Sequence, residues 1–133
     1  MRKHNWPELL NVFIKSRKDV PFEWGKQDCC LFACDLVKEM TGVDYASDFR
    51  GTYNNVAGAL TILKKEGGVK QLAINSWGVE INPLMAQRGD VVLVQGEHGN
   101  SLAVCIGQSI VATGENGLVS LPLRSAICAW RIK

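Results

Sequence analysis

The hydrophobic pattern changes near Gly89, and this change limits the possible folds more than any other feature. Before Gly89, apolar residues recur at the three- and four-residue spacing of amphipathic helices, as in Leu9, Leu10, Phe13 and Ile14. After Gly89, short runs rich in β-branched residues alternate with glycines and polar clusters. Helices followed by strands are typical of an α+β domain. We therefore expect N-terminal helices packed on a C-terminal antiparallel sheet or small barrel.

Helix start and stop signals divide the first half into three predicted helices. The first has Asn5 as N-cap and ends before Pro21, the second follows Asp28 as N-cap and ends at Gly42, and the third covers 56–65. In the third helix, Leu60 and Leu63 are expected to face the core. The predicted strands cover 90–94, 102–106, 109–112, 117–123 and 126–132. Pro122 predicts a strand end or an edge strand.

Length and charge indicate an ordinary globular protein. The 133 residues suit one domain over 1–133, and the net charge of +2 gives no nucleic-acid or membrane footprint. The start, MRKHNWPELL, reaches Pro7 before any apolar run, so it predicts neither a signal peptide nor a membrane span. We expect synthesis in the cytoplasm.

The cysteines raise the question of a reactive thiol. Without an export signal, the five cysteines are expected to be reduced. The spacing of Cys29, Cys30 and Cys34 does not match a zinc site, and we expect no metal and no cofactor. Asp28 as N-cap places Cys29 in the first helical turn, where free N–H groups and the helix dipole stabilise a thiolate. Cys29 is thus a candidate nucleophile, with core packing as the alternative, whereas Cys30 and Cys34 are interpreted as packing residues.

A cysteine nucleophile normally needs a general base. The two histidines are His4, near the N-terminus, and His98, in the glycine-rich segment QGEHGNS between two predicted strands. His98 either closes on Cys29 or is a solvent-facing turn residue.

Several motifs carry a family resemblance. WGKQDC, RGDVVLV and SLAVCIGQSIVATG resemble the NlpC-type cell-wall cysteine peptidases, which have a papain-like fold, over about residues 22–132. The ordered set FEWGKQDC, LFACD, TGVD, FRGTY, GAL, RGDVVLV, GENGLVSLPL and AWRI more closely resembles an uncharacterised family of phage and prophage proteins encoded among tail genes. The resemblance places Cys29 on the nucleophile and Asp28 on the acidic residue before it. The base histidine position falls on Ser101, which is no general base near neutral pH.

Three further residues are candidates for substrate or partner binding. Trp24 precedes the Asp-Cys turn and is either a cleft wall or a core aromatic. Arg50 and Tyr53 lie in the segment DFRGTY, where Arg50 either contacts a ligand or ties down its loop through an acidic partner.

Three functions remain open. The first is a structural or assembly role in a phage tail, with phage tail proteins as partners. In this hypothesis the active site is degenerate and the chain is incorporated into the virion. The second is a cysteine hydrolase, a peptidase or amidase, acting on cell-wall peptide through Cys29. A third, weaker hypothesis is a thiol switch that uses Cys29 with Cys30 or Cys34.

Overall fold

The protein is an α+β domain, as the hydrophobic pattern predicts. The computed structural model describes residues 1–97 and 99–133. The helices are α1 (Trp6–Arg17), α2 (Cys29–Thr41), α3 (Val56–Glu66) and α4 (Val69–Trp77). The strands are β1 (Val91–Gly96), β2 (Gly99–Cys105), β3 (Ser109–Ala112), β4 (Val119–Pro122) and β5 (Cys128–Trp130). Single 3-10 turns lie at Pro83–Met85 and Leu123–Ser125.

The strands form one antiparallel sheet in the order β4-β3-β2-β1-β5. β4 is an edge strand and Pro122 is its last residue, which confirms both expectations for that proline. β4 and β5, at the two ends of this order, are not paired with each other in the described residues, so the sheet is open rather than closed into a barrel.

The β1–β2 hairpin differs from the prediction. We expected β1 to end at residue 94 and β2 to begin at residue 102, with QGEHGNS as a loop. Instead the ladder continues beyond Val94 paired with Ser101 to Gly96 paired with Gly99. The end of the hairpin is partly exposed, so its strands need no alternating apolar residues there. Its polar residues and glycines therefore gave no strand signal in the sequence.

The helical layer covers one face of the sheet. α2 is its centre: eight of its residues are buried, and it contacts both α1 and β2. The opposite face of the sheet is covered by the segments around Ile81, Ala86 and Leu123, without a helix longer than a 3-10 turn in the described residues, and Leu121 of β4 packs on the same cluster. The main core therefore lies between α2 and the sheet, and the start of α2 faces β2.

Local cap chemistry explains where the helices begin. The Asp28 side chain accepts a hydrogen bond from the Leu31 N–H, and the Asn55 side chain accepts one from the Gly58 N–H. Asn5 is the N-cap residue of α1, as predicted, although its side chain makes no capping hydrogen bond. Pro7 lies in the first turn of α1, where its fixed φ favours the helix start and its missing N–H needs no partner.

The 56–77 region departs most from the prediction. α4 was not predicted, although Val69, Leu72 and Ala73 have helical spacing and are all buried. Leu60 does not face the core, since it is 56% exposed, whereas Leu63 packs against the core cluster. α3 packs on α4, and the face of α3 that is turned toward the core is the one that carries Ala59 and Leu63. Among the described residues, no helix has the length and apolar character that a membrane crossing requires.

Candidate functional site

Asp28 organises the start of α2. Its carboxylate is buried and accepts hydrogen bonds from the N–H of Leu31 at 2.9 Å, from the N–H of Gly25 at 3.0 Å and from the hydroxyl of Tyr53. These donors occupy both carboxylate oxygens. Asp28 therefore fixes the helix start and the Tyr53 loop, and it is poorly placed to take a proton from Cys29.

Cys29 occupies the first position of α2 and is partly exposed. Its pKa is lowered to about 7. The largest cause is a hydrogen bond from the Cys30 thiol, followed in the lowering direction by the Ser101 side chain and the Leu102 backbone N–H, and burial opposes them. A substantial fraction of Cys29 is thus thiolate at neutral pH, which is the form that acts as a nucleophile.

Cys30 has a role that the sequence interpretation missed. Its sulfur lies 3.9 Å from that of Cys29, and its thiol donates to the Cys29 thiolate. That contact and burial raise the pKa of Cys30 well above its ordinary value, so Cys30 keeps its proton. Cys30 is buried in the core cluster, as its interpretation as a packing residue requires, and it also makes this contact with Cys29. Cys34 fits that interpretation, because it is fully buried and burial raises its pKa to about 12.

β2 supplies the other side of the site. Ser101 and Leu102 stabilise the Cys29 thiolate, so the position that the resemblance assigned to a base does lie at the candidate nucleophile. His98 lies outside the described residues. His4 is remote: the neighbouring Lys3 N–H binds the Met40 carbonyl at 2.7 Å, at the end of α2 opposite to Cys29. At 1.5 Å per residue the two ends are about 16 Å apart.

A small cleft opens beside Cys29. Its volume is about 30 Å³, and it is lined by Trp24, Asp28, Cys29, Cys30, Phe49, Tyr53, Ala59, Ile62, Leu63 and Leu72. Trp24 packs edge-on against Phe22 with ring centroids 4.7 Å apart. The cleft wall is mostly apolar, and its polar groups cluster at the Asp28–Cys29 end. The space next to the Cys29 thiol is therefore bounded mainly by apolar side chains.

The two other predicted binding residues lie in one loop but have different surroundings. Tyr53 lines the cleft, and burial followed by its hydrogen bond to Asp28 raises its pKa far above the ordinary value. Arg50 does not line the cleft. Its guanidinium binds Asp44 through two hydrogen bonds of 3.0 Å and Asp35 at 2.7 Å. Arg50 thus ties its loop to α2, which is the structural alternative rather than a ligand contact.

The fold and site define an α+β domain with a partly exposed cysteine thiol at the start of its central helix. The family model described as Domain of unknown function (DUF6950) matches residues 1–132, and the chain belongs to this family. No protein of curated function matches the chain.

Proposed function

We propose that this chain is a phage or prophage tail-associated protein, built on an NlpC-like, papain-like scaffold, that acts in tail structure or assembly rather than in peptide hydrolysis. The observation that carries the proposal is Ser101. It lies beside the Cys29 thiol, at the place where the resemblance puts a base histidine, and a serine hydroxyl neither accepts the thiol proton nor returns it to a leaving amine.

The Asp28 contacts support the same conclusion. The Asp28 carboxylate could orient a catalytic base only if one of its oxygens were free to accept a hydrogen bond from that base. Here it is buried under two backbone N–H groups and the Tyr53 hydroxyl. The loop that these contacts hold in place would be part of a surface for tail proteins, its proposed partners, and incorporation into the virion would follow from that role.

A complementation experiment tests the assembly role. In a phage or prophage that encodes the chain, deletion of its gene should abolish tail formation, and Cys29→Ser should restore it to the level of the unaltered chain. Thin-section and negative-stain microscopy of lysates counts tails. If Cys29→Ser is as defective as the deletion, chemistry at Cys29 is essential and the proposal fails.

The second candidate is a cysteine hydrolase acting on cell-wall peptide. It is favoured by the partly exposed Cys29 thiol, whose pKa is lowered to about 7 beside a cleft. Release of peptide fragments from purified peptidoglycan by the unaltered chain, abolished in Cys29→Ser and His98→Ala, would support it. If the assembly proposal is correct, the unaltered chain releases no peptide fragments from peptidoglycan. Slow hydrolysis is then expected only in Ser101→His, because this variant places a histidine at the position that the resemblance assigns to the base.

A further inference from the structure

A second cleft lies between the segment before α1 and the segment after β5, at the end of α2 opposite to Cys29. Its volume is about 450 Å³, and it is lined by residues 1–4, Trp6 and residues 131–133. Basic side chains make up most of this lining: Arg2, Lys3, His4, Arg131 and Lys133. The described lining residues include no aspartate and no glutamate. We call this feature the basic cleft.

Hydrogen bonds from the backbone hold both segments in place. The Lys3 N–H donates to the Met40 carbonyl at 2.7 Å, and the Ile132 N–H donates to the Asp90 carboxylate at 3.0 Å. Ile132 and Asp90 are both buried. The basic side chains are thus gathered by tertiary contacts, since the two segments are far apart in the sequence.

The two arginines of the basic cleft are held by further contacts. Nε of Arg131 donates to the Asp90 carboxylate at 2.9 Å, and Nη2 donates to the Met85 carbonyl at 2.7 Å. The Arg2 guanidinium stacks over the Trp6 ring, 4.0 Å from its centroid. Side chains that are ordered before binding lose less conformational entropy when a ligand arrives. A guanidinium also matches the oxygen geometry of a phosphate group.

The distribution of charge favours a compact anion over an extended one. The chain has a net charge of +2, and the four Lys and Arg side chains of the basic cleft contribute +4, so the other residues together carry −2. A nucleic acid strand or a flat anionic membrane would also contact the surface beyond the cleft, which has no excess of positive charge. A small ligand with several negative charges needs the cleft alone.

We infer that the basic cleft binds a diphosphate group, either as inorganic pyrophosphate or as part of a nucleotide. Two linked phosphates present several negatively charged oxygens at once, which suits arginines and lysines that converge from two segments. A volume of about 450 Å³ lies within the range of about 300–1,000 Å³ of small-molecule sites. This inference goes beyond the proposed function and is independent of the chemistry at Cys29.

Isothermal titration calorimetry of the untagged full chain tests the inference, with pyrophosphate and orthophosphate as probes near pH 7. We expect one pyrophosphate per chain and binding at least about tenfold tighter than that of orthophosphate, because more charged oxygens are paired. Binding should weaken as the ionic strength rises from about 0.01 M to about 0.15 M, since the exposed charges are then screened. Equal affinity for the two probes overturns the inference.

A pair of double variants locates the site. Lys3→Gln with Lys133→Gln removes two exposed cations of the basic cleft and should weaken pyrophosphate binding by about tenfold. Lys64→Gln with Lys65→Gln removes the same charge from the exposed end of α3 and should leave binding unchanged. Urea denaturation checks that both variants are folded. Equal losses of affinity in the two double variants, or no loss in the first, overturn the inference.

Further probes identify the source of the diphosphate and exclude larger partners. ADP binding tighter than pyrophosphate assigns the cleft to a nucleotide, and equal affinities assign it to the diphosphate alone. A single-stranded oligonucleotide and phosphatidylserine vesicles are compared in the same buffer. If either binds more tightly than both diphosphate probes and loses affinity in Lys3→Gln with Lys133→Gln, the cleft serves a polymer or a membrane and the inference is overturned.

Discussion

The Tyr53 hydroxyl donates a hydrogen bond to the buried Asp28 carboxylate and thereby joins the loop before α3 to the first turn of α2. The two residues are 25 positions apart, and both line the cleft beside Cys29. One carboxylate thus caps the central helix and holds one wall of the cleft. The position of Cys29 depends on a contact made far from it in sequence.

Tyr53→Phe should destabilise the fold. Removal of the hydroxyl takes away one of the three donors to the buried Asp28 carboxylate, and a hydrogen bond to a charged group contributes about 1.5–3 kcal/mol. Urea denaturation measures the loss in free energy of unfolding. Tyr45→Phe is the matched control, since the Tyr45 ring packs against Trp77 and its substitution should cost less than about 0.5 kcal/mol. Equal losses in the free energy of unfolding in the two variants would show that the hydrogen bond from Tyr53 to Asp28 does not stabilise the fold.

The Cys30 thiol should set the reactivity of Cys29. In Cys30→Ala the largest stabilising contact of the thiolate is lost, so the pKa of Cys29 should rise from about 7 toward the ordinary thiol value of about 8.5. Alkylation of Cys29 at pH 7 should then slow by about tenfold, with little change above pH 9. The measurement is the pH profile of iodoacetamide labelling, read by peptide mass spectrometry.

Cys30→Ser tests whether the lost hydrogen bond causes the rise in the pKa of Cys29. A serine hydroxyl retains a donor of similar size, so the pKa of Cys29 should stay nearer to 7 than in Cys30→Ala. Cys34→Ala is the packing control, because Cys34 is buried in the core and is absent from the groups that lower the pKa of Cys29. If all three variants shift the profile alike, general loosening of α2 is the cause and the hydrogen bond is not.

Gly25→Ala should be far more damaging than Gly51→Ala. Both glycines have φ near +80°, which costs an L-residue about 1–2 kcal/mol. At Gly25 an added Cβ would also lie 2.2 Å from the Tyr53 carbonyl oxygen, whereas at Gly51 nothing lies within 4 Å. We expect a loss of about 1–2 kcal/mol at Gly51 and about 3–5 kcal/mol at Gly25, measured by thermal and urea denaturation. Equal losses would show that the Gly25 turn and the Tyr53 segment are not in close contact.

Arg50→Ala should destabilise the protein in a pH-dependent manner. The variant removes the partner of Asp44 and one of the two arginine partners of Asp35, which should cost about 1–3 kcal/mol near pH 7. The Arg50 hydrogen bonds lower the pKa of Asp44, so this contribution is present above the ordinary carboxyl pKa and is lost as pH falls through the lowered value. The difference between the two proteins should therefore shrink below about pH 4.

The exposed pair Lys26–Glu23 is the control for that experiment. Its side chains are 78% and 58% exposed, and Lys26→Ala should change stability by less than about 1 kcal/mol. Arg50→Lys keeps the charge but loses the two-pronged contact with Asp44, so its stability should lie between those of Arg50→Ala and the unaltered chain. A loss in Arg50→Ala no larger than that in Lys26→Ala would contradict the anchoring role.

The sequence by itself determined the fold class, the start of α2 at Asp28 and the placement of Cys29 in its first turn. These follow from short-range chemistry: a capping carboxylate reaches N–H groups three residues away, and apolar periodicity reports which face of an element is buried. Only the tertiary structure decided that Cys30 donates to Cys29, that Ser101 lies beside the same sulfur, that Tyr53 occupies Asp28 and that Arg50 serves the loop. Cys29 and Cys30 are adjacent in the chain, but the burial that helps Cys30 to keep its proton is a product of the tertiary packing. The other contacts join residues whose separation in the chain says nothing about their distance, and the packing of α2 against β2 and of the Tyr53 loop against the Gly25 turn sets them.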